Sequence, residues 1–473
     1  MNVLLTHGYF IAEDAKEQKI MRPYPPLGIL YISAYLKRNN ISVSVFDSTF
    51  SSKQTFKENI LNLRPKVVAF YVNLMTKLNV LELTAWIKTH TELSSTHIIF
   101  GGPDVTYNLE NYLKAGADYI IIGEGEQTTL ELISAITQNA DAPDYIQGIA
   151  YLSKEGVLIK TPPRTKIKEV DTLPFPDREA IDLQKYLDTW KHFHGSSTIS
   201  ISTQRGCPYT CKWCSRAVYG QSYRRRSPSN VADELETLLK RYDNNTFWFV
   251  DDVFTVSHQW MEEFNIVLKE RNLKIRYECI TRADRMNEQV IRLLKESGCF
   301  RVWIGSESGS QKIIDAMDRR VDVNQVRSMI KLTKKFDMEA GTFIMLGYPG
   351  ETKDDIEETI FHLKDSLPDH FTITVAYPIK GTPLFAEVEN IQTHTIDWEN
   401  ATDRDRDFER QYPRSYYDYA VRRVVNEANF AKLKSKKMAF SRAGAKAYVN
   451  YQLAKGIMLL YAAAPTAKHA AHP

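Results

Sequence analysis

The sequence predicts an α/β protein built from a Rossmann-like doubly wound sheet, a partial (β/α)6 barrel and a C-terminal helical region. Two observations support this. Short apolar segments alternate with helix-periodic segments in the first third of the chain and again in the middle. That alternation then stops, and two long helical segments follow. The predicted regions are the sheet domain at 1–140, a linker with a hairpin at 141–195, the barrel at 196–385 and the helical region at 386–473.

Composition limits the class of protein. A chain of 473 residues with 43% hydrophobic and 25% charged residues is expected to form two or three soluble domains. The net charge of +3 gives no reason to expect nucleic acid as a partner. The sequence contains no apolar run of about 18 residues, so no membrane span is predicted. The first residues resemble a strand more than a signal peptide. We therefore expect a cytoplasmic protein.

The first region contains five apolar segments with the length of buried strands. Helix-periodic segments separate them, so the expected sheet is parallel and binds ligands at the carboxyl ends of its strands. The predicted strands are 3–5, 43–46, 66–70, 97–100 and 119–122, and the predicted helices are 27–36, 80–90, 109–115 and 128–137.

Glycines follow two of these strands. The runs are Gly101-Gly102-Pro103 and Gly123-Glu124-Gly125-Glu126, and Tyr24-Pro25-Pro26-Leu27-Gly28 precedes the first helix. Paired glycines let the backbone approach a flat ligand closely. A flavodoxin-like domain with tight turns and no cofactor remains an alternative.

The linker begins with a predicted hairpin at 146–161, turning at Lys154-Glu155-Gly156. Prolines then recur at Pro162, Pro163, Pro174 and Pro176. This density favours an extended strap over packed elements.

Six further strands are predicted in the barrel, and polar residues or glycines follow nearly all of them. An open barrel carries its site on this carboxyl-terminal face. The strands are 198–202, 247–250, 275–280, 300–304, 340–345 and 371–375, and the residues that follow include Asp251, Asp252, Arg282, Asp284, Glu307, Gly347 and Pro349.

Three of the five cysteines, Cys207, Cys211 and Cys214, lie within eight residues after the first barrel strand. Three thiolates on a short loop suit three irons of a [4Fe–4S] cluster and leave one iron open. Structural zinc, a disulfide and coincidentally buried cysteines are the alternatives. Cys279 and Cys299 are expected to be buried small hydrophobes.

The spacing Cys-x3-Cys-x2-Cys after the first strand resembles the signature of radical S-adenosylmethionine (SAM) enzymes. This resemblance implies that the three cysteines bind the cluster and that the open iron chelates SAM, which is cleaved to a 5′-deoxyadenosyl radical. It places Trp213 near the adenine, Glu307 at the ribose or amino group, Arg282 with Asp284 near the methionine part, and Gly347 and Pro349 near the adenine. Asp251 and Asp252 either hold the amine or orient substrate, or they cap a helix.

The first region is similar to the cobalamin-binding domain of many radical SAM enzymes. One departure is that the Asp-x-His-x-x-Gly motif, whose histidine ligates cobalt in methionine-synthase-like domains, is absent, and His7 is the nearest histidine. The residues that the resemblance assigns to cobalamin are Tyr24, Pro25, Leu27, Gly28, Asn73, Leu74, Gly101, Gly102, Pro103, Gly123, Glu124 and Gly125.

Two segments of the sequence each have both a functional and a structural explanation. The run Tyr223-Arg224-Arg225-Arg226 suits phosphates or carboxylates, or a solvated or domain-bridging position. The predicted helices at 412–433 and 445–464 carry many tyrosines, which form either a substrate wall or ordinary core.

The resemblance implies a cobalamin-dependent radical SAM enzyme that methylates an unactivated carbon of a small-molecule or peptide substrate. It also implies an electron donor such as flavodoxin or ferredoxin. The alternatives are cyclisation or rearrangement without methyl transfer, as in the anaerobic magnesium-protoporphyrin ester cyclase group, an empty N-terminal interaction module on a radical SAM core, and a cobalamin-sensing protein.

Overall fold

The computed structural model describes residues 2–138 and 144–463. The predicted boundary at 140 and 141 and the predicted helix end at Ala464 lie outside this range. The chain forms two compact units. Unit 1 contains residues 1–208, 215–248 and 396–405, and unit 2 contains residues 209–214, 249–395 and 406–473.

Unit 1 contains a seven-stranded sheet. Its strands are β1 (Val3–His7), β2 (Val43–Phe46), β3 (Val67–Tyr71), β4 (His97–Gly101), β5 (Tyr119–Ile121), β6 (Ile149–Leu152) and β7 (Leu158–Lys160). They are ordered β2-β1-β3-β4-β5-β6-β7. The first five are parallel, as predicted, and β6 pairs antiparallel with β5 and β7. The hairpin expected in the linker therefore extends this sheet.

Five helices of unit 1 cover the two faces of that sheet, three on one face and two on the other. Val68 and Phe70 of β3 point into one apolar layer, whereas Val67 points into the other, as alternation along a buried strand requires. The helices are α1 (Ala15–Ile20), α2 (Leu27–Arg38), α3 (Lys53–Leu63), α4 (Lys77–Lys88), α5 (Leu109–Lys114), α6 (Glu126–Thr137), α7 (Leu183–His194) and α8 (Pro228–Arg241). Helices α3, α4 and α5 lie on the first of these faces, and α2 and α6 lie on the other. Helix α7 replaces part of the expected strap, because Leu183, Tyr186, Leu187 and Trp190 form a buried stripe at helical spacing.

Unit 1 also contains a late segment, residues 396–405. The rings of Trp398 and Tyr112 lie 4.7 Å apart, and Lys77 Nζ donates to the Ala401 carbonyl at 2.7 Å. No sequence pattern predicted this return of the chain, which falls in the predicted helical region.

A second sheet has six strands, and all six were predicted. They are β8 (Ile199–Ile201), β11 (Thr246–Phe249), β12 (Arg276–Arg282), β13 (Cys299–Glu307), β14 (Glu339–Leu346) and β15 (His370–Val375), in the order β15-β14-β13-β12-β11-β8. Strands β12 to β15 are parallel neighbours. A separate two-stranded ribbon joins β9 (Gln204–Arg205) to β10 (Arg224–Arg225).

The helices of unit 2 follow its strands and end in a long pair. They are α9 (His258–Glu270), α10 (Glu288–Glu296), α11 (Gln311–Ala316), α12 (Val323–Lys335), α13 (Lys353–Ser366), α14 (Pro383–Val388), α15 (Arg414–Ser435) and α16 (Arg442–Ala463). Tyr416 and Tyr417 of α15 are buried in the core formed with β14 and α13. This confirms the core alternative for those two tyrosines. Within the described ranges, no helix has the length and apolar character needed to cross a membrane.

Candidate functional site

Unit 1 contains a cavity of about 220 Å³ at the carboxyl ends of its parallel strands. Six of the residues predicted to bind a cofactor line it: Gly28, Gly101, Gly102, Gly123, Glu124 and Gly125. The lining also includes residues that the sequence did not single out, among them Tyr31, Ile32, Thr129, Arg205, Val218 and Tyr219. Tyr71, the last residue of β3, and Glu126 of the glycine-containing run after β5 also contribute.

Gly102 shows why a glycine is required beside this cavity. Its φ is +113°, and a Cβ placed there would lie 2.4 Å from the Val72 carbonyl oxygen. Backbone packs directly against backbone at this strand end, so a side chain is excluded on both conformational and steric grounds.

The other predicted cofactor residues of unit 1 do not line the cavity. Tyr24 packs edge-on against Trp190, with ring centroids 5.3 Å apart. The side-chain oxygen of Asn73 accepts hydrogen bonds from the backbone N–H groups of Met75 and Thr76, and so shapes the loop after β3. Pro25, Leu27, Leu74 and Pro103 lie in the flanking segments outside the lining.

A buried ion-pair network forms one wall of the cavity. Arg205 donates to Glu124 at 3.0 Å and also to Glu126, and its guanidinium lies between the rings of Tyr31 and Tyr219. Arg224 donates to both carboxylate oxygens of Glu124 at 2.8 Å.

The contacts within this network favour the charged forms of Glu124 and Arg205, although both side chains are buried. Burial opposes ionisation of Glu124, but hydrogen bonds from Arg224, the Ile167 amide and Arg205 hold its pKa below the ordinary value. Burial likewise opposes the charge of Arg205, yet Glu126 and Glu124 raise its pKa. Burial raises the pKa of Tyr219 to about 12. The carboxylate of Glu124 is therefore already paired with two arginines of unit 1, Arg205 and Arg224.

The arginine run is similarly engaged. Arg226 donates to Glu234, to the Asn230 side chain and to the Ser202 carbonyl. Together with the contacts of Arg224, this makes Arg224 and Arg226 part of the internal structure of unit 1.

Both ring nitrogens of His7 are occupied. Nδ1 accepts the Tyr9 N–H at 3.2 Å, and Nε2 lies 3.0 Å from the Asp47 carboxylate. Tyr186 donates to the other oxygen of Asp47 at 2.7 Å. His7 is therefore a structural residue in this arrangement, and neither nitrogen is available to a metal.

The ribbon of β9 and β10 closes the base of the cysteine loop. Gly206 follows β9 with a φ of +82°, and a Cβ there would lie 2.3 Å from Ser222 Oγ. None of Cys207, Cys211 and Cys214 forms a disulfide. Among residues 2–138 and 144–463, no group of three or more His, Cys, Asp or Glu side chains is arranged to hold a metal ion.

Within unit 2, two buried guanidiniums face Cys211. Arg282 Nη1 and Arg319 Nη1 each lie 3.6 Å from its Sγ. Asp284 holds Arg282 through two hydrogen bonds of 2.9 and 3.2 Å. Arg319 donates to the Gly305 carbonyl at 2.9 Å. Two cations held in this way offset the charge of a thiolate.

Glu307 ends β13 in a strained backbone conformation beside these arginines. Its φ is +67°, which is uncommon for a residue with a side chain. Its carboxylate lies 3.5 Å from Arg319. Burial raises the pKa of Glu307, while Arg319 and Arg282 act in the opposite direction.

The remaining predicted residues of unit 2 occupy turns close to strand ends. Trp213 lies beside Arg319, with 5.6 Å between its ring centroid and the guanidinium carbon. Gly347 donates its N–H to the buried carboxylate of Glu351 at 2.5 Å, and Pro349 lies in the turn between them. Asp251 is buried and Asp252 is exposed.

Two residues of unit 2 were missed by sequence reasoning: Arg319 and Glu351. Arg319 lies between α11 and α12, where no periodicity or spacing indicates a role. Glu351 follows the noted motif Gly347-Tyr348-Pro349-Gly350 directly, and its position after that turn was the available signal. Cys279 and Cys299 are buried, as expected.

The sequence matches the radical SAM superfamily over residues 201–363 and the B12 binding domain over residues 19–133. The chain contains a radical SAM domain and a B12 binding domain. Such a combination uses a [4Fe–4S] cluster, SAM and cobalamin, so the predicted cofactors are confirmed at the level of the family.

Two relatives and one solved structure are similar to this chain. An uncharacterized methyltransferase of Pyrococcus horikoshii is 28% identical over 398 residues, covering 82% of this chain and 84% of the relative. The anaerobic magnesium-protoporphyrin IX monomethyl ester cyclase of Rubrivivax gelatinosus is 27% identical over 82% of this chain and 70% of its own. The cobalamin-dependent SAM radical enzyme OxsB shares the fold of this enzyme, with a TM-score of 0.76, 16% identity and coverage of 97% and 80% of the two chains.

Proposed function

We propose that this cobalamin-type radical SAM enzyme methylates an unactivated carbon of a small-molecule or peptide substrate. The observation that carries the proposal is the pairing of Cys211 with two buried arginines, Arg282 at the end of β12 and Arg319 between α11 and α12, on a chain that also has a B12 binding domain. When bound, the cluster and SAM supply hydrogen-atom abstraction, and cobalamin supplies the methyl group.

The residues of unit 1 fit a cobalamin site. Gly28, Gly101, Gly102, Gly123 and Gly125 offer backbone without side chains along one edge of the cavity. A volume of about 220 Å³ is smaller than the roughly 300–1,000 Å³ of pockets that enclose a whole ligand. We therefore infer that the cavity encloses only part of the cofactor, a part about the size of one ring.

Other residues predicted at this cofactor act on the surrounding loops. Asn73 fixes the turn after β3 through its hydrogen bonds to Met75 and Thr76. Tyr24, Pro25, Leu27, Leu74 and Pro103 flank the cavity in sequence and stay predicted contacts. Both ring nitrogens of His7 already have hydrogen-bond partners, which supports our proposal that no histidine of this loop ligates cobalt.

The cysteine loop fits an iron–sulfur cluster in its donor chemistry. Cys207, Cys211 and Cys214 form no disulfide, and soft thiolates are the ligands that such clusters require. Arg282 and Arg319 would stabilise the negative charge at Cys211. These three cysteines are our proposed cluster ligands.

The proposed SAM contacts surround the same arginines. Glu307 is a buried carboxyl group whose pKa is raised by burial, against the opposing effect of Arg319 and Arg282, and it offers an oxygen that accepts hydrogen bonds in either protonation state. Arg282 and Asp284 form a fixed pair next to it. We assign Trp213, Gly347 and Pro349 to the adenine side, and Asp251 and Asp252 to the amino group of SAM or to substrate.

Two further parts of the proposal concern partners and organisation. An electron donor such as flavodoxin or ferredoxin supplies the electron for SAM cleavage. The division into a cobalamin domain at 1–140, a linker at 141–195, a barrel at 196–385 and a helical region at 386–473 stays a prediction.

The test of methyl transfer is a turnover of the reduced, reconstituted protein with SAM and cobalamin. We expect both 5′-deoxyadenosine and S-adenosylhomocysteine, and SAM with an isotopically labelled methyl group then identifies the methylated product. Formation of 5′-deoxyadenosine alone would favour the cyclase or rearrangement alternative. S-adenosylhomocysteine formation that does not depend on added cobalamin would contradict the proposal.

The ligand assignment has a separate test. We expect Cys211→Ala to lose the cluster, measured as iron and sulfide per chain and by the visible spectrum. Cys299→Ala is the matched control, because Cys299 is also a buried free cysteine but lies at the start of β13. Full iron content in Cys211→Ala would refute the assignment.

A further inference from the structure

The C-terminal helical pair has an unusual charge. From Ala428 to Ala463 the chain carries seven lysine and arginine residues and no aspartate or glutamate. The whole chain is nearly neutral, with a net charge of +3, so this segment concentrates positive charge. The cations are Lys432, Lys434, Lys436, Lys437, Arg442, Lys446 and Lys455.

Three of these lysines line one cavity between α15 and α16. The cavity has a volume of about 350 Å³, and Lys432, Lys436 and Lys446 surround it together with Asn426 and Asn429. Within the described ranges, no acidic side chain forms an ion pair with Lys436 or Lys446. Three cationic donors and two amides match the hydrogen-bonding needs of a phosphate group.

Lys432 already has one internal contact. Its Nζ donates to the carbonyl of Asp369 at 2.5 Å, which fixes the side chain at the wall of the cavity. Burial lowers the pKa of Lys432, and the charge of Lys436 adds to this effect. A bound anion would relieve that repulsion.

Large apolar side chains are exposed on the same helical pair. Phe440 in the turn between the helices is fully exposed, and Met438 beside it is 46% exposed. Val449, Leu453 and Leu460 of α16 are 53%, 60% and 73% exposed. Their spacing places these three on one face of the helix, opposite the face that packs on α15.

We propose that this helical pair binds the surface of an anionic phospholipid bilayer. The lysine cavity takes a lipid phosphate, and Phe440 with the apolar face of α16 enters the headgroup region. Cations combined with exposed aliphatic and aromatic side chains are the features that bind a protein to a lipid surface without spanning it. A nucleic acid would use the cations but gains nothing from exposed leucine and valine. This inference does not depend on methyl transfer.

Vesicle flotation of the full-length protein tests the proposal. We expect binding to phosphatidylcholine vesicles that contain phosphatidylglycerol, and none to phosphatidylcholine alone. Binding should weaken as salt is added, because the charges are exposed to solvent. Failure to bind the anionic vesicles, or equal binding to both, would overturn the proposal.

Two double variants test whether vesicle binding depends on the lysines of this cavity or on the overall charge of the protein. Lys436→Gln with Lys446→Gln should weaken vesicle binding by roughly thirtyfold. The control is Lys274→Gln with Lys335→Gln, which removes two exposed lysines elsewhere in unit 2 and should leave binding unchanged. Equal losses in both pairs would refute the cavity as the site.

The apolar contribution has its own matched pair. Phe440→Ser should reduce binding, whereas Ile266→Ser, at a 54% exposed residue of α9, should not. Two other results would also overturn the proposal. The first is that the protein binds RNA but no vesicles, and that wild type and Phe440→Ser bind the RNA with equal affinity. The second is that the protein self-associates, that Phe440→Ser abolishes this self-association and that vesicles have no effect on it.

Discussion

Arg319 Nη1 lies 3.6 Å from Cys211 Sγ, and the same guanidinium donates through Nη2 to the Gly305 carbonyl. One buried side chain therefore joins the cysteine loop to the end of β13. Arg282 makes the equivalent approach to Cys211 from the end of β12.

Arg319→Gln should lower the reduction potential of the cluster. Positive charge and N–H donors at the thiolate stabilise the reduced, more negative cluster, so their removal makes reduction harder. We expect a fall on the order of 50 mV, since 59 mV corresponds to about 1.4 kcal/mol in a one-electron couple. The measurement is an EPR-monitored redox titration.

Arg320→Gln is the control for this prediction. Arg320 is adjacent in sequence, but its side chain is exposed and pairs with Asp318. A similar fall in both variants would show that net charge, rather than contact with Cys211, sets the potential.

Gly206→Ala should impair iron incorporation. The added methyl group would lie 2.3 Å from Ser222 Oγ and 2.6 Å from the Ser222 carbonyl oxygen, so the base of the cysteine loop must move. Gly156→Ala is a matched control, because Gly156 has a φ of +78° and no atom within 4 Å of the added carbon. That variant should lose only about 1–2 kcal/mol of unfolding free energy and keep its iron.

Glu351 should make the stability of the enzyme depend on pH. Burial raises the pKa of Glu351 to about 8, against 4.5 for the free side chain. The folded state therefore binds this proton more tightly, and the stabilisation is full below pH 4.5 and is lost as the pH rises through about 8.

Urea unfolding between pH 5 and pH 8.5 measures this effect. Wild type should lose stability, on the order of a few kcal/mol, relative to Glu351→Gln, which retains an acceptor for the Gly347 N–H. Glu263→Gln, at an exposed residue of α9, should follow wild type. Parallel curves for wild type and Glu351→Gln would contradict the prediction.

Arg205→Ala should destabilise the protein by about 3–5 kcal/mol, because it leaves the buried carboxylates of Glu124 and Glu126 with reduced compensation. Arg241→Ala breaks an exposed pair with Glu179 and should cost less than about 1 kcal/mol. Denaturant unfolding followed by tryptophan fluorescence compares the two. Equal effects would show that burial of the network does not contribute.

The cavity of unit 1 illustrates what sequence could predict. Gly101, Gly102, Gly123 and Gly125 were found because strand ends and glycine pairs are local features of the chain. Arg205 and Tyr219 were missed because they lie almost a hundred residues later and enter the cavity only through folding. The long-range return of residues 396–405 to unit 1 was missed for the same reason.

The sequence by itself determined most of the strands and helices, the cysteine spacing and the resemblance to radical SAM enzymes. These follow from local periodicity and from fixed spacing along the chain. The tertiary structure decided which charges meet. Arg319 faces Cys211, Arg205 faces Glu124 and Glu126, and both ring nitrogens of His7 are occupied. Side-chain pairing across distant segments depends on strand register and helix packing, which no local pattern encodes.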